Sequence, residues 1–233
     1  MKVKKLPGFI KNPIIVAIAQ TRIGRVFTNW VLQGMLIMNP VEIAYKLCVD
    51  IVLMLLILVF STQGMTGYDV GIAFLIAHTI NWIINGQPIA LLMHLDIGKN
   101  NAVNFISYIE KLEKRIKKKK YLAACASYGS LSVGNYKPTS DIDIRVIMKK
   151  DMWSKVRAAN FCFIERVRAF LAFFPLDLYA LTVDEVQIRM SPKEPPVIFC
   201  DPTNILKSIY KELISFEEFD KNFREVVLPA QNK

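Results

Sequence analysis

Residues 121–147, YLAACASYGSLSVGNYKPTSDIDIRVI, constrain this chain more than any other stretch. An apolar run enters a Gly129-Ser130 turn. A polar loop with Gly134, Asn135, Pro138 and Ser140 follows, and Asp141-Ile142-Asp143-Ile144 then alternates acid with aliphatic. A period of two belongs to a strand, so both carboxylates are expected on one face and both isoleucines on the other. Two carboxylates about 6–7 Å apart along a strand repel each other unless a cation lies between them, and a hard divalent ion with oxygen ligands suits that place. The turn offers backbone N–H groups and a hydroxyl, which suit phosphate, and its glycine permits a close approach.

Tyr128-Gly129-Ser130, a gap, Asp141-Ile142-Asp143-Ile144 and then a lone acid, Asp177, in the apolar run Leu176–Leu181 together resemble the nucleotidyltransferase superfamily typified by DNA polymerase β. The resemblance covers roughly residues 101–210. It implies an α+β fold, a mixed sheet layered with helices. It also implies transfer of a nucleoside monophosphate from an NTP to an acceptor hydroxyl or phosphate, with release of pyrophosphate and with Mg²⁺ or Mn²⁺ as cofactor. On the same resemblance Asp141, Asp143 and Asp177 are the catalytic, metal-binding residues, and Gly129 and Ser130 hold the triphosphate. Lys137 and Arg145 are near enough in sequence to help neutralise it, Arg145 only if its strand is regular. Polymerase-type members append a helical domain for base or primer. Here about fifteen helical residues and a tail are expected after Cys200, which disfavours a long template.

Charge divides the chain unevenly. The net charge is +10, and residues 1–120 hold 15 Lys and Arg against 6 Asp and Glu, a surplus of nine. That basic half is also the more apolar one in a chain that is 53% hydrophobic and only 21% charged. A membrane surface fits such a combination better than nucleic acid does. The only histidines, His78 and His94, lie there too, so the rear half has no Ser-His-Asp triad and no HExxH zinc site; no GxxxxGK occurs. Cys48, Cys125, Cys162 and Cys200 form no CxxC pair and read as reduced.

Residues 1–11 are basic and lack the features of a signal peptide. Arg22, Arg25, Asn29 and Gln33 recur at three- and four-residue steps and predict an amphipathic, interfacial helix over about 13–38. Asn39-Pro40-Val41-Glu42 opens a second helix running to residue 60, about 30 Å long and enough to cross a bilayer, with Glu42, Lys46 and Asp50 toward its start. After a turn at 61–67, a second crossing is expected over 71–95, kinked at Asn85-Gly86-Gln87-Pro88. No Lys or Arg lies between Lys46 and Lys99, so the positive-inside rule puts both flanks in the cytoplasm. His78, Asn81, Trp82 and Asn85 form a polar stripe that must face protein: the hairpin partner, another subunit of a homo-oligomer, or a path for a lipid substrate.

The expected division is a membrane region over 1–99 and a cytoplasmic nucleotidyltransferase domain over 100–233. In the latter, Ala102, Phe105, Ile109, Leu112 and Ile116 predict a helix capped by Asn100 or Asn101 and ending in the basic cluster before residue 121. A helix over 151–174 should turn Val156, Phe161, Ile164, Val167 and Leu171 inward. A short strand Val197–Cys200, an Asp201-Pro202 turn and a last helix over 204–218 complete the reading. The leading function is a multi-pass, membrane-anchored, metal-dependent nucleotidyltransferase acting on a small or lipid-linked acceptor. The competing readings are a non-catalytic nucleotide-sensing regulator and an oligomeric transport subunit gated by nucleotide.

Overall fold

The computed structural model describes residues 21–60, 66–95, 98–129, 136–191 and 194–231. Ser130, the loop 131–135, the turn 61–65, residues 13–20 of the expected first helix and the last two residues lie outside them. The architecture is α+β, a helical front part followed by a mixed sheet with helices.

The sheet contains β1 (Leu122–Tyr128), β2 (Ile142–Met148), β3 (Leu176–Leu181), β4 (Val197–Cys200) and β5 (Ile214–Ser215), in the spatial order β3-β2-β1-β4-β5. β1 lies antiparallel to β2 and β4, whereas β2 runs parallel to β3 and β4 to β5. Strand alternation sorts the side chains onto two faces. Ile142, Ile144, Val146, Leu176, Leu178 and Ala180 enter one core, which is closed by α5 (Ala102–Lys117) and α6 (Met152–Leu171). Ala124, Ala126, Ile147 and Leu181 enter a smaller core on the opposite face, under α7 (Val183–Arg189) and α8 (Ile205–Ile209).

α5 starts where its cap predicts, with Asn101 accepting the N–H groups of Val103 and Asn104, and its whole apolar stripe is buried. α6 differs from expectation. Phe161 is buried, but Ile164 and Leu171 are exposed, and the inward face carries Ala158, Ala159, Cys162, Glu165, Arg166 and Ala169. The two charges face inward because each has partners there: Arg115 donates to Glu165 at 2.7 Å, and Arg166 pairs with Glu42 at 2.5 Å. The expected last helix over 204–218 is broken. Asp201 accepts the N–H groups of Ile205, Leu206 and Lys207 and so starts α8, which stops after five residues; β5 follows, then α9 (Phe216–Asn222), a π-helical turn (Phe223–Val227) and α10 (Leu228–Gln231).

The front part holds α1 (Arg22–Leu32), α2 (Pro40–Val59), α3 (Gly67–Ile84) and α4 (Gln87–His94). α1 is shorter than the expected 13–38 helix because Gln33 (φ 45°) and Gly34 (φ 79°) are left-handed and end it. α2 begins as its Asn39-Pro40 signal predicts, Asn39 accepting the Val41 N–H at 3.0 Å. α3 starts at Gly67, earlier than residue 71, because Thr66 and Asp69 form a reciprocal cap. The expected kinked crossing over 71–95 is two helices: left-handed Gly86 turns the chain and caps α4, whose first turn accommodates Pro88.

Glu42, Lys46 and Asp50, one per turn of α2, are each 1–2% exposed rather than placed at an aqueous rim. Asp50 meets His78 Nδ1 at 3.0 Å and accepts from Asn81 Nδ2 at 2.7 Å, so the polar stripe of α3 does face its hairpin partner. The outward faces are apolar: Ile51, Val52, Leu55, Leu56 and Val59 on α2 and Phe60 at its end, with Ile72, Phe74, Leu75, Ile76 and Ile80 on α3, are all more than a third exposed. Among the described residues one helix, α3, is long and apolar enough to cross a bilayer; the three charges of α2 set it apart.

Candidate active site

β2 and β3 run in parallel register, which sets Asp143 opposite Asp177 and Arg145 opposite Tyr179. All four alternate onto the face away from α5 and α6. The acid–aliphatic alternation leads one to expect Asp141 and Asp143 together on one strand face. β2 begins at Ile142, so Asp141 precedes the strand instead of sharing its pleat.

Gly129 closes β1 at φ 84°, and a β-carbon there would stand 2.9 Å from Asp143 Oδ2. The turn and the acid therefore touch, which explains why glycine is needed. Ser130 lies outside the described residues. Lys137 donates its backbone N–H to Ser140 Oγ at 2.9 Å, and its side chain is exposed.

Arg145 lies on the acids' own face, as regular alternation requires. Its Nη2 reaches Asp177 Oδ2 at 3.1 Å and Asp143 Oδ1 at 3.4 Å, while Nη1 donates to the carbonyls of Asp177 and Ile144 at 2.8 and 2.9 Å. The guanidinium is thus a cation spanning two carboxylates. Burial disfavours its charge, but Asp177 and Asp143 outweigh that and hold it protonated. Asp143 is displaced the other way: burial first, then the neighbouring Asp177 charge and a hydrogen bond shared with it, push its carboxyl well above the usual range, and Asp141 adds to this. These are two acids crowded so closely that both ionise only with a positive partner.

Sequence reasoning did not single out Tyr179. The residue is buried, its ring centroid lies 5.2 Å from the Arg145 guanidinium carbon and 5.6 Å from that of Arg166, and burial together with the nearby Asp177 charge pushes the phenol up. Its position two residues beyond Asp177, on the same strand face, was the available signal.

Residues 109–218 match the nucleotidyltransferase domain family. This segment is a polymerase β-like nucleotidyltransferase domain. Such a domain moves a nucleoside monophosphate from an NTP, so the chain is a transferase of nucleotidyl groups. No curated protein and no solved structure matches the chain.

Domains of this family typically work with a divalent metal, and the donor set can be tested for it. Asp143 and Asp177 are hard oxygen ligands, paired in register, and Arg145 already stands in for a cation between them. The pair fits. As placed, no three of His, Cys, Asp and Glu are grouped closely enough to hold a metal among the described residues, so Asp141 is near the pair but does not complete it.

Proposed function

We propose that the chain is a membrane-attached, metal-dependent nucleotidyltransferase that transfers a nucleoside monophosphate to a small or lipid-linked acceptor. The observation that carries the reading is the register pairing of Asp143 with Asp177 beside the Gly129 turn. Asp143 and Asp177 would hold Mg²⁺ or Mn²⁺, with Asp141 as the third acid. The metal would supply charge neutralisation at the triphosphate and orient the attacking and leaving oxygens. Gly129 leaves room for the phosphates, Ser130 and Lys137 are the candidates to contact them, and Arg145 offsets part of the repulsion between the two acids.

Attachment to a bilayer rests on the outward faces of α2 and α3. The outward apolar residues of both helices are each more than a third exposed, a surface of the kind that lipid would cover. The Lys and Arg distribution favours the cytoplasmic side for the catalytic domain. A lipid-linked acceptor follows from a catalytic domain held at a bilayer.

The test is incubation of the purified full chain with each labelled NTP, Mg²⁺ or Mn²⁺ and a membrane lipid extract. Label should move to an acceptor with wild type and not with Asp143→Ala. Nucleotide binding without transfer by wild type would leave a sensor in place of an enzyme.

A further inference from the structure

Cations that the catalytic chemistry does not use gather at one end of the sheet. β1 starts where β2 ends, Leu122 pairing with Met148, and the turns flanking that pair bring two lysine runs together. Lys118, Lys119 and Lys120 follow α5, Lys149 and Lys150 follow β2, and Lys149 Nζ donates to the Lys120 carbonyl at 2.7 Å. Arg157 of α6 joins them, its guanidinium carbon 4.5 Å from the Tyr121 ring centroid. Lys118, Lys120, Lys150 and Arg157 are exposed, and among the described residues none of the six pairs with a carboxylate. Asp151 and Asp201, at the same end, accept helix N–H groups instead. The catalytic pair is elsewhere, since Asp143 lies five residues back along β2 from Met148, about 17 Å away.

The apolar hairpin heads for this same end. β3 is an edge strand closed off by two side chains: the Ala180 N–H donates to Glu42 Oε2 at 2.9 Å, and Arg166 Nη1 donates to the Leu178 carbonyl at 2.8 Å. Ala180 pairs with Val146, two residues before β2 ends, so α2 starts level with the basic half of the sheet. From there it advances toward the first turn of α6. Glu42 meets Arg166, and three residues later Tyr45 donates to Asn160 Oδ1 at 2.7 Å. The exposed apolar residues of α2, from Ile51 onward, therefore emerge on the side of the lysines. Met152 and Trp153 open α6 there and are 63% and 69% exposed. Tryptophan suits the headgroup level of a bilayer, and a basic cluster beside an inserted segment suits anionic lipid.

We propose that this basic end of the catalytic domain docks on the anionic phospholipid headgroups of the bilayer that takes up the hairpin. The inference rests on the bilayer-attachment reading, to which it adds a lipid class and a second surface. Nucleic acid would satisfy the cations equally, but not the apolar hairpin that emerges beside them. Each cation brought to an anionic bilayer surface raises partition about fivefold.

The experiment dilutes detergent-purified full-length protein into vesicles of phosphatidylcholine alone or mixed with phosphatidylglycerol, and measures partition by flotation. Wild type is compared with the triple variant Lys118→Gln, Lys120→Gln, Lys150→Gln. A control triple, Lys99→Gln, Lys211→Gln, Lys221→Gln, removes the same charge from exposed lysines elsewhere on the domain. Wild type should prefer the mixed vesicles at least about 100-fold; the basic-end triple should lose about 100-fold of that preference and the control less than about fivefold. Raising salt to about 1 M should erase the wild-type preference, a readout that needs no variant. Equal partition of wild type onto both vesicles, or an equal loss in the control, overturns the proposal and leaves attachment through the hairpin standing. Partition onto neither vesicle sinks the attachment reading and the proposal together. An unchanged vesicle preference in the basic-end triple, with binding of a homopolymeric RNA lost, would assign the surface to nucleic acid and overturn the proposal.

Discussion

Gly129 and Asp143 approach so closely that the turn closing β1 and the carboxylate on β2 share one small volume; a β-carbon on residue 129 would sit 2.9 Å from Asp143 Oδ2. Alanine there meets both this contact and a left-handed φ of 84°, which costs about 1–2 kcal/mol by itself. Gly129→Ala should therefore lower the unfolding midpoint by several degrees and nucleotidyl transfer at least about tenfold. Differential scanning calorimetry with a transfer assay checks both. An active, equally stable variant would show that the turn and the acid are not in contact.

The raised Asp143 carboxyl gives stability a pH dependence whose sign is fixed. Between the ordinary carboxylate value, about 4, and its own higher one, folded Asp143 holds a proton that the unfolded chain has released. Its contribution is fully present at low pH and is lost as pH rises through the folded value. In metal-free buffer, Asp143→Asn should therefore gain stability relative to wild type as pH rises from 5 toward 8. Added Mg²⁺ should narrow the difference by stabilising wild type. Urea unfolding at several pH values, with and without Mg²⁺, measures this; a pH-independent difference would count against the crowding of the two acids.

Arg166 and Glu42 are buried together, so removing one leaves the other uncompensated. Arg166→Met should cost about 3–5 kcal/mol of stability, whereas the double change Arg166→Met with Glu42→Gln should recover part of it. The coupling energy from a double-mutant cycle in denaturant is the measurement. Additive losses would mean that the pair does not act as one unit.

Cysteine labelling reports on the apolar hairpin. Cys48 is exposed on α2, while Cys125 and Cys162 are fully buried, and burial raises both of their thiols; it pushes Cys200 up to about 11. In native protein reconstituted into liposomes, a membrane-impermeant maleimide should leave Cys48 unmodified, and should modify it once lipid is replaced by denaturant. Rapid modification of Cys48 in liposomes, read by mass spectrometry, would show that α2 is not covered by lipid.

Much of the catalytic sheet could be read in advance because a period of two and an apolar stripe are local signals. The alternation around Asp143, the isolated Asp177 and the Asn39-Pro40 and Asn101 starts all depend on neighbours within a few residues. Glu42 could not be read that way. An acid in the first turn looks the same whether it caps its own helix or, as here, reaches the Ala180 N–H 138 residues away. Glu165 and Arg166 break the expected inward stripe of α6 for the same reason, since their partners belong to other elements. The Thr182–Glu185 reciprocal cap that starts α7 was a readable signal, and so was that of Thr66 and Asp69. The Asn85-Gly86-Gln87-Pro88 interruption was readable as a kink, but not the left-handed Gly86 that makes it a full break between α3 and α4.

The side chains that close off β3 also limit how this protein can be dissected. A fragment beginning near residue 100 would keep the matched family segment but lose Glu42. It would leave Arg166 without its carboxylate and an amide of the outermost strand open to whatever chain lies nearest. Such a fragment would tend to stack on copies of itself, so the smallest piece that behaves as a separate body is larger than the catalytic homology suggests.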